Sequence, residues 1–306
     1  MRIREESLLQ LINETAYAIY RQCLYEPTFE KYSVKMTAYA EDPSFHAFVC
    51  SDGEDDLGIA VFRQISADTA EISGLAVAEA HQRRGTGRFL LRAAALSLNV
   101  SHLKAETDAD AASFYEHEGF SVTRFTRDYP DGDAVRYDCV LDMDTLPGLE
   151  IRPSGREDLE NIRSLWGDPD VMRYIGLPEG YTNTAAEAEE QLESFCGRRP
   201  LIDHYCIFFR GVYCGESSYH VHEQCGLAEV HAALFPFARG KGIASKTIRF
   251  MMEQALTNGA KKCYVTPNSA NTAAIALYRR LGMVPKEMPK DLDDYMYPWS
   301  VYMETE

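Results

Sequence analysis

The sequence contains no long apolar stretch. None of its hydrophobic runs approaches the roughly 18 residues that a membrane-spanning helix needs. The N-terminus, which begins Met1-Arg-Ile-Arg-Glu-Glu, also lacks the apolar segment of a secretory signal peptide. We therefore expect a cytoplasmic protein that does not insert into a membrane.

The spacings that mark metal and disulfide sites are missing as well. The eight cysteines include no C-x-x-C pair, and the histidines form no H-E-x-x-H group. Cys50 and Cys206 lie inside apolar, strand-like runs, where buried reduced thiols are the ordinary occupants. We expect neither a metal site nor a framework of disulfide bonds.

Positive charge is scarce, since 31 Lys and Arg residues stand against 47 Asp and Glu residues, a formal net charge of −16. A nucleic-acid-binding protein needs a basic surface to neutralise phosphates, so we expect no nucleic-acid partner. The 45% of hydrophobic residues and 25% of charged residues are typical of a globular protein. An acidic surface is compatible with cationic amines as partners.

The chain contains one clear break, at Thr145–Glu150, where Pro147 and Gly148 interrupt two strand-like runs. After the break, Ser154 is followed by Glu157 three residues later, which is the spacing of a helix capping box. A second domain is therefore expected to begin near Leu149. We predict an N-terminal domain over 1–146 and a C-terminal domain over 149–306.

The second half repeats the order of the first. Each half is predicted to begin with helices, at 5–24 in the first half and at 155–166 and 184–196 in the second. Strands follow, at about 45–51, 57–64 and 69–78, and again at about 202–209, 212–220 and 226–235. Then come a Gly-x-Gly element, a helix, a short strand, a second helix and two closing strands. This alternation predicts an α/β fold in each half, with helices on the faces of a mixed sheet.

Each Gly-x-Gly element lies between a strand and an amphipathic helix, as Gly85-x-Gly87 and Gly240-x-Gly242. Glycine lets successive backbone N–H groups converge on an anion, and the helix N-terminus adds unpaired donors. Positive side chains accompany the first element, namely Arg83, Arg84 and Arg88. A pyrophosphate group suits this arrangement. The first half lacks the third small residue of a dinucleotide fingerprint, the second half fits it poorly, and neither contains the Gly-Lys-Ser/Thr of a P-loop.

Both elements are similar to the Q/R-x-x-G-x-G/A signature of the GNAT superfamily of N-acyltransferases, as Gln82-x-x-Gly85-x-Gly87 and Arg239-x-x-Gly242-x-Ala244. A later segment resembles the family's N-x-x-A…Y-x-x-x-G-F pattern in each half. It runs from Asn271 through Tyr278 to Met283, and from Asp108 through Tyr115 to Phe120, with Asp108 in place of the usual asparagine. The second half also resembles the subgroup that acetylates the N-termini of ribosomal proteins.

This resemblance implies two tandem GNAT folds of the α/β (α+β) class, each with a mixed, mostly antiparallel sheet flanked by helices. It implies an N-acetyltransferase that uses acetyl-CoA and moves the acetyl group to a primary amine by direct attack in a ternary complex. The acceptor would be a small-molecule amine or a peptide N-terminus, and the protein a monomer or homodimer. Two alternatives remain. One domain could be an inactive CoA-binding or substrate-shaping module, or the protein could be a non-enzymatic CoA sensor.

The resemblance also implies roles for individual residues. Tyr115 and Tyr278 would be acids near the coenzyme sulfur, and Glu71 and Glu229 would be bases, eleven residues before Gln82 and ten before Arg239. Strand backbone and loop residues would bind the coenzyme: Ala76, Val77, Gln82, Arg83, Arg84, Gly85, Thr86, Gly87, Arg88, Leu234, Phe235, Arg239, Gly240, Lys241, Gly242, Ile243, Ala244 and Asn271.

Overall fold

A computed structural model describes residues 1–129, 132–290, 292 and 298–306. The chain divides into two units, 1–148 and 149–306, except that 210–212 group with the first. The division falls at the Pro147-Gly148 break. Across the described ranges, no helix is long and apolar enough to cross a membrane.

The first unit is built around a seven-stranded sheet with the order β1-β2-β3-β4-β5-β7-β6. Its strands are β1 Arg2–Glu6, β2 Phe45–Ser51, β3 Asp56–Gln64, β4 Thr69–Val77, β5 His102–Thr107, β6 Ser121–Arg127 and β7 Ala134–Asp142. Its helices are α1 Glu14–Tyr20, α2 Phe29–Ala40, α3 Thr86–Leu98 and α4 Ala109–His117. The end of α1 continues into a short 3-10 turn, Arg21–Cys23.

The second unit repeats this architecture, with the strand order β13-β14-β12-β11-β10-β9-β8. Its strands are β8 Glu150–Pro153, β9 Ile202–Phe209, β10 Val212–His222, β11 Leu227–Leu234, β12 Lys262–Val265, β13 Met283–Pro285 and β14 Met303–Thr305. Its helices are α5 Leu159–Trp166, α6 Pro169–Met172, α7 Ala185–Cys196, α8 Ile243–Thr257 and α9 Thr272–Arg280.

The predicted fold class is confirmed, because each unit contains a mixed, mostly antiparallel sheet with helices on its faces. In the first unit β4 pairs in parallel with β5, whereas its other described strand pairs are antiparallel. In the second unit β11 and β12 form the corresponding parallel pair. Each unit has its candidate site at its own parallel pair of strands.

Two local predictions were wrong. The predicted helix over 5–24 begins only after Asn13, whose side chain accepts a hydrogen bond from the Ala16 amide at 2.9 Å. Residues Arg2–Glu6 instead form an edge strand on β2, a non-local pairing that a local helical pattern does not reveal. Ser154 is not a helix cap, since its hydroxyl bonds to His204 Nδ1 at 2.7 Å, and the Asp158 carboxylate accepts from the Gly155 amide instead.

Candidate active site

A wedge opens in each sheet where its two parallel strands diverge. β4 pairs with β5 only from Thr69 to Glu71 but continues to Val77. β11 pairs with β12 only from Leu227 to Glu229 but continues to Leu234. Beyond these points, one edge of β4 and one edge of β11 face no neighbouring strand in the described structure. Such an edge offers backbone donors and acceptors to an extended ligand.

The glycine loops lie just beyond these open edges. Gly85 and Gly242 are the N-caps of α3 and α8, and their φ angles of 82° and 74° are in the left-handed region. Gly240 also has a positive φ, 77°. A Cβ atom on any of these three glycines would meet no heavy atom within 4 Å. The loops therefore leave space beside the first helical turn, and this fits an anionic group held by the unpaired amides there.

Gln82 and Arg239, the first residues of the two signatures, have matching contacts. The Gln82 side-chain amide donates to the Val77 carbonyl at 3.1 Å, and Arg239 Nε donates to the Leu234 carbonyl at 3.1 Å. Each therefore ties its loop to the last residue of the preceding strand. These side chains shape the site by holding the loop in place, and contact of either with a coenzyme stays a prediction.

The predicted basic residues differ in how available they are. Arg83 and Arg84 are exposed and lie immediately before Gly85. The Arg88 guanidinium instead pairs with the buried Glu118 carboxylate at 2.8 Å, so the backbone amide of Arg88 is better placed for an anion than its side chain. The neighbouring loop residues are distributed between surface and core, with Thr86 and Ile243 buried and Gly87, Lys241 and Ala244 half-buried.

The predicted base and acid of the second unit lie on β11 and α9. Glu229 is the last residue of β11 that pairs with β12, and its carboxylate accepts a hydrogen bond from Thr266 Oγ at 3.1 Å. Tyr278, on α9, is 8% exposed. Burial, with the charge of Glu229 adding to it, raises the pKa of Tyr278 to about 12. The phenol therefore stays protonated at neutral pH.

The first unit arranges its pair differently. Glu71 is the last residue of β4 in the parallel pairing, which is the register position of Glu229. Burial raises the pKa of Tyr115, and the groups that add to this effect are Cys139, Cys23 and Asp108. Glu71 is not among these groups, so the two tyrosines differ in the charged groups that affect them.

A β-bulge accounts for the unequal spacing of the two carboxylates. In β4, Phe62 pairs with Ile72 and Val61 with Gly74, so that Ser73 is an extra residue. β10 and β11 pair in continuous register from Gly215–Leu234 to His222–Leu227. Glu71 is eleven residues before Gln82 and Glu229 ten before Arg239 because of this single residue.

Asp108 and Asn271 have the same structural role. The Asp108 carboxylate accepts from the Ala111 amide at 3.1 Å, and the Asn271 side-chain oxygen accepts from the Ala274 amide at 3.1 Å. Both residues cap the helix that carries the candidate tyrosine. Aspartate is as good a cap as asparagine, so the departure at Asp108 does not disturb this helix.

A buried polar network lies on the face of β10 that is turned away from α8. Trp166 Nε1 donates to Glu216 Oε1 at 2.7 Å, and His204 Nε2 lies 3.1 Å from Glu216 Oε2. Burial alone would raise the pKa of Glu216, but His204 and the hydrogen bonds from His204 and Trp166 together lower it. The contribution of this carboxylate to stability is therefore present above its unfolded pKa and is lost as the pH falls through its folded pKa.

We expect Trp166→Phe to destabilise the second unit by about 1–3 kcal/mol, because it leaves a buried carboxylate oxygen without its donor. Urea unfolding monitored by circular dichroism measures this loss. The matched control is Trp299→Phe, since Trp299 is 40% exposed and a surface change of this kind shifts stability by less than about 0.5 kcal/mol. Equal effects of the two substitutions would contradict the role of the network.

Comparisons with known proteins agree with this geometry. A family model described as an acetyltransferase (GNAT) domain matches residues 149–284, and a second model of the same description matches residues 43–122. Together the two matches cover more than half of the chain. The chain belongs to the GNAT acetyltransferase family. It is therefore an acyltransferase, and it carries the GNAT fold twice.

Similar proteins include other acetyltransferases. The chain is 41% identical over 58 residues to an uncharacterized N-acetyltransferase, YjgM, of Escherichia coli, and this match spans 19% of the chain and 34% of that protein. A spermidine N-acetyltransferase from Vibrio cholerae, solved with CoA and spermine, is 20% identical with a TM-score of 0.43, covering 51% and 92% of the two chains. RimL, a ribosomal L7/L12 α-N-protein acetyltransferase, is 16% identical with a TM-score of 0.42, covering 51% and 88%.

The structure adds residues to both GNAT sites that the sequence did not single out. Thr266, which directly follows β12, is hydrogen-bonded to Glu229 at 3.1 Å. Gln22 donates to the Val77 carbonyl at 3.0 Å from a part of the chain 55 residues away. His231 is exposed on β11, two residues beyond Glu229. No local pattern pointed to Gln22 or His231.

Proposed function

We propose that this GNAT protein transfers the acetyl group of acetyl-CoA to a primary amine, and that the second unit contains the reacting centre. The observation that supports this most directly is the position of Glu229, whose carboxylate accepts from Thr266 at the last paired residue of β11, just before the open strand edge that leads to the glycine loop. The charge of Glu229 also contributes to the raised pKa of the buried Tyr278 phenol.

The residues fit a donor that carries a pyrophosphate. Gly240 and Gly242 would leave the amides of the first turn of α8 free to bind the phosphates. The open edge of β11 near Leu234 and Phe235 would pair with the pantetheine amides. When bound, the donor supplies an activated acetyl thioester.

In the proposed reaction, side chains of the protein accept and donate protons. An amine must lose a proton to attack, and the Glu229 carboxylate, held by the Thr266 hydroxyl, is the proposed acceptor of that proton, directly or through a water molecule. The Tyr278 hydroxyl is the proposed proton donor to the departing thiolate. A backbone amide of the open edge would stabilise the charge that develops on the thioester oxygen.

The proposed acceptor is a small-molecule amine or a peptide N-terminus, in keeping with the amines named for the similar spermidine and ribosomal-protein acetyltransferases. A free-thiol release assay with acetyl-CoA and a panel of polyamines, aminoglycosides, amino acids and N-terminal peptides tests it. We expect release above the acceptor-free rate with at least one class of amine. Release with none of these acceptors, although acetyl-CoA binds, would contradict amine transfer.

We expect Tyr278→Phe to lower kcat by about tenfold or more, because it removes the hydroxyl proton and leaves the ring in place. The affinity for CoA, measured by calorimetry, should stay unchanged. Tyr302→Phe is the matched control, since it removes another buried phenol of the same unit, which bonds to Glu304 at 2.8 Å. A Tyr278→Phe enzyme with the turnover of the wild type would eliminate the tyrosine as the acid.

A further inference from the structure

In the first unit, side chains from the end of α1 and the turn after it contact the open edge of β4. This inference rests on the proposed function, since it concerns the same donor. We propose that Tyr20, Gln22 and Cys23 occupy the donor cleft of the first unit and thereby direct acetyl-CoA to the second. They are specificity-determining residues, because they decide which of the two GNAT folds binds acetyl-CoA.

Tyr20 fills the space over the bulge of β4. It is fully buried, and its hydroxyl lies where a Cβ atom of Gly74 would be, so only glycine permits this approach. The space beside the extra residue Ser73 is therefore taken by the protein itself.

The Gln22 side chain is hydrogen-bonded to a backbone carbonyl that acetyl-CoA would need for pairing with β4. Its side-chain amide donates to the Val77 carbonyl at 3.0 Å, and the Gln82 side chain, which bonds to the same carbonyl, donates to Gln22 Oε1 at 2.7 Å. The three residues form a closed hydrogen-bonded group at the end of β4. An extended ligand pairing at Ala76 and Val77 would have to displace Gln22.

The Cys23 sulfur contacts the open edge of β4. Its thiol donates to the Tyr20 carbonyl at 3.1 Å, and the Leu75 amide is hydrogen-bonded to the sulfur. Cys23 also contributes to the raised pKa of Tyr115. Although the residue as a whole is exposed, its sulfur points inward, and desolvation raises the pKa of the thiol to about 11. An uncharged thiol thus lies against the open edge of β4 at Leu75.

The second unit differs at the matching position. Gly74 and His231 each lie three residues before the end of their strands, β4 and β11. Gly74 pairs with Val61 in the first unit, and His231 pairs with Ser218 in the second. His231 is exposed, whereas Gly74 is covered by Tyr20. The Leu234 carbonyl accepts from Arg239, just as Val77 accepts from Gln82. At the matching position β11 carries an exposed side chain, whereas on β4 the space that a side chain would take is filled by Tyr20.

The test is a calorimetric titration of the full chain with CoA. We expect wild type to bind one CoA, and a Gln22→Ala/Cys23→Ala double variant to bind two. Both residues are exposed, so the double variant should fold. Arg21→Ala is the matched control, an exposed residue of the same turn that should keep the stoichiometry at one.

A third substitution locates the added site. Gly85 has a positive φ of 82°, so Gly85→Val in the double variant should remove the second CoA and return the stoichiometry to one. Two equivalent sites in wild type would overturn the inference while leaving the proposed function intact. One site in both wild type and double variant would also overturn it. CoA binding by none of these proteins would contradict the proposed function, and the inference with it.

Discussion

Replacing Gly242 by valine is expected to weaken CoA binding by the second unit about 100-fold, which is about 2.7 kcal/mol. Gly242 has a φ of 74° at the N-cap of α8. A β-branched residue is strained in that conformation, and its side chain would enter the space that is now open beside the first-turn amides. Calorimetric titration with CoA measures this loss of affinity. Unfolding is measured in parallel.

The chain offers a matched control for backbone strain. Gly259 follows the other end of the same helix, has a φ of 102°, and also has open space around its Cβ position. Gly259→Val should therefore lower stability by a similar amount and leave CoA affinity unchanged. An equal loss of affinity in both variants would attribute the effect to general destabilisation, and the loop would lose its proposed role.

Glu229→Gln is expected to lower kcat by about 100-fold or more at neutral pH, because a positioned general base contributes roughly 10²–10⁴-fold. The substitution keeps the size of the side chain and an oxygen that can accept from Thr266, and it removes the basic carboxylate. The KM for acetyl-CoA should change little. Steady-state kinetics over a range of pH, with the acceptor found in the thiol-release assay, measures the effect.

Glu253→Gln is the control for a change of net charge, since Glu253 is exposed on α8. It should have the kcat of the wild type. If Glu229→Gln were equally active, the base would have to be another group on this face of β11, and His231, two residues further along the strand, would be tested next.

Much of the fold could be predicted from the sequence because its signals are local. Strands such as Phe45–Ser51 and Ile202–Phe209 are rich in apolar and aromatic residues, and α3 begins at a glycine junction. The strand Arg2–Glu6 was missed because its stability comes from pairing with β2, more than 40 residues away. A short charged segment does not show that partner in its own composition.

The candidate site could be predicted as a set of residues but not as an arrangement. The glycines came from their place between strand and helix, and the two tyrosines and two strand carboxylates came from the resemblance to the GNAT superfamily. That resemblance could not show that Glu229 contributes to the environment of Tyr278 while Cys23 contributes to that of Tyr115. That difference arises from how α1 and its turn pack on β4, which depends on side-chain shape in three dimensions.

The extra residue in β4 also affects how the sequences of the two halves align. If the two halves descend from one ancestral domain, an alignment of the copies requires a one-residue gap at Ser73, where the β3–β4 register shifts. Because side chains alternate between the faces of a strand, such an insertion is tolerated only where a bulge absorbs it. Gly74 and Tyr20 lie at that same point, so the one-residue difference between the two strands coincides with the difference between the two clefts.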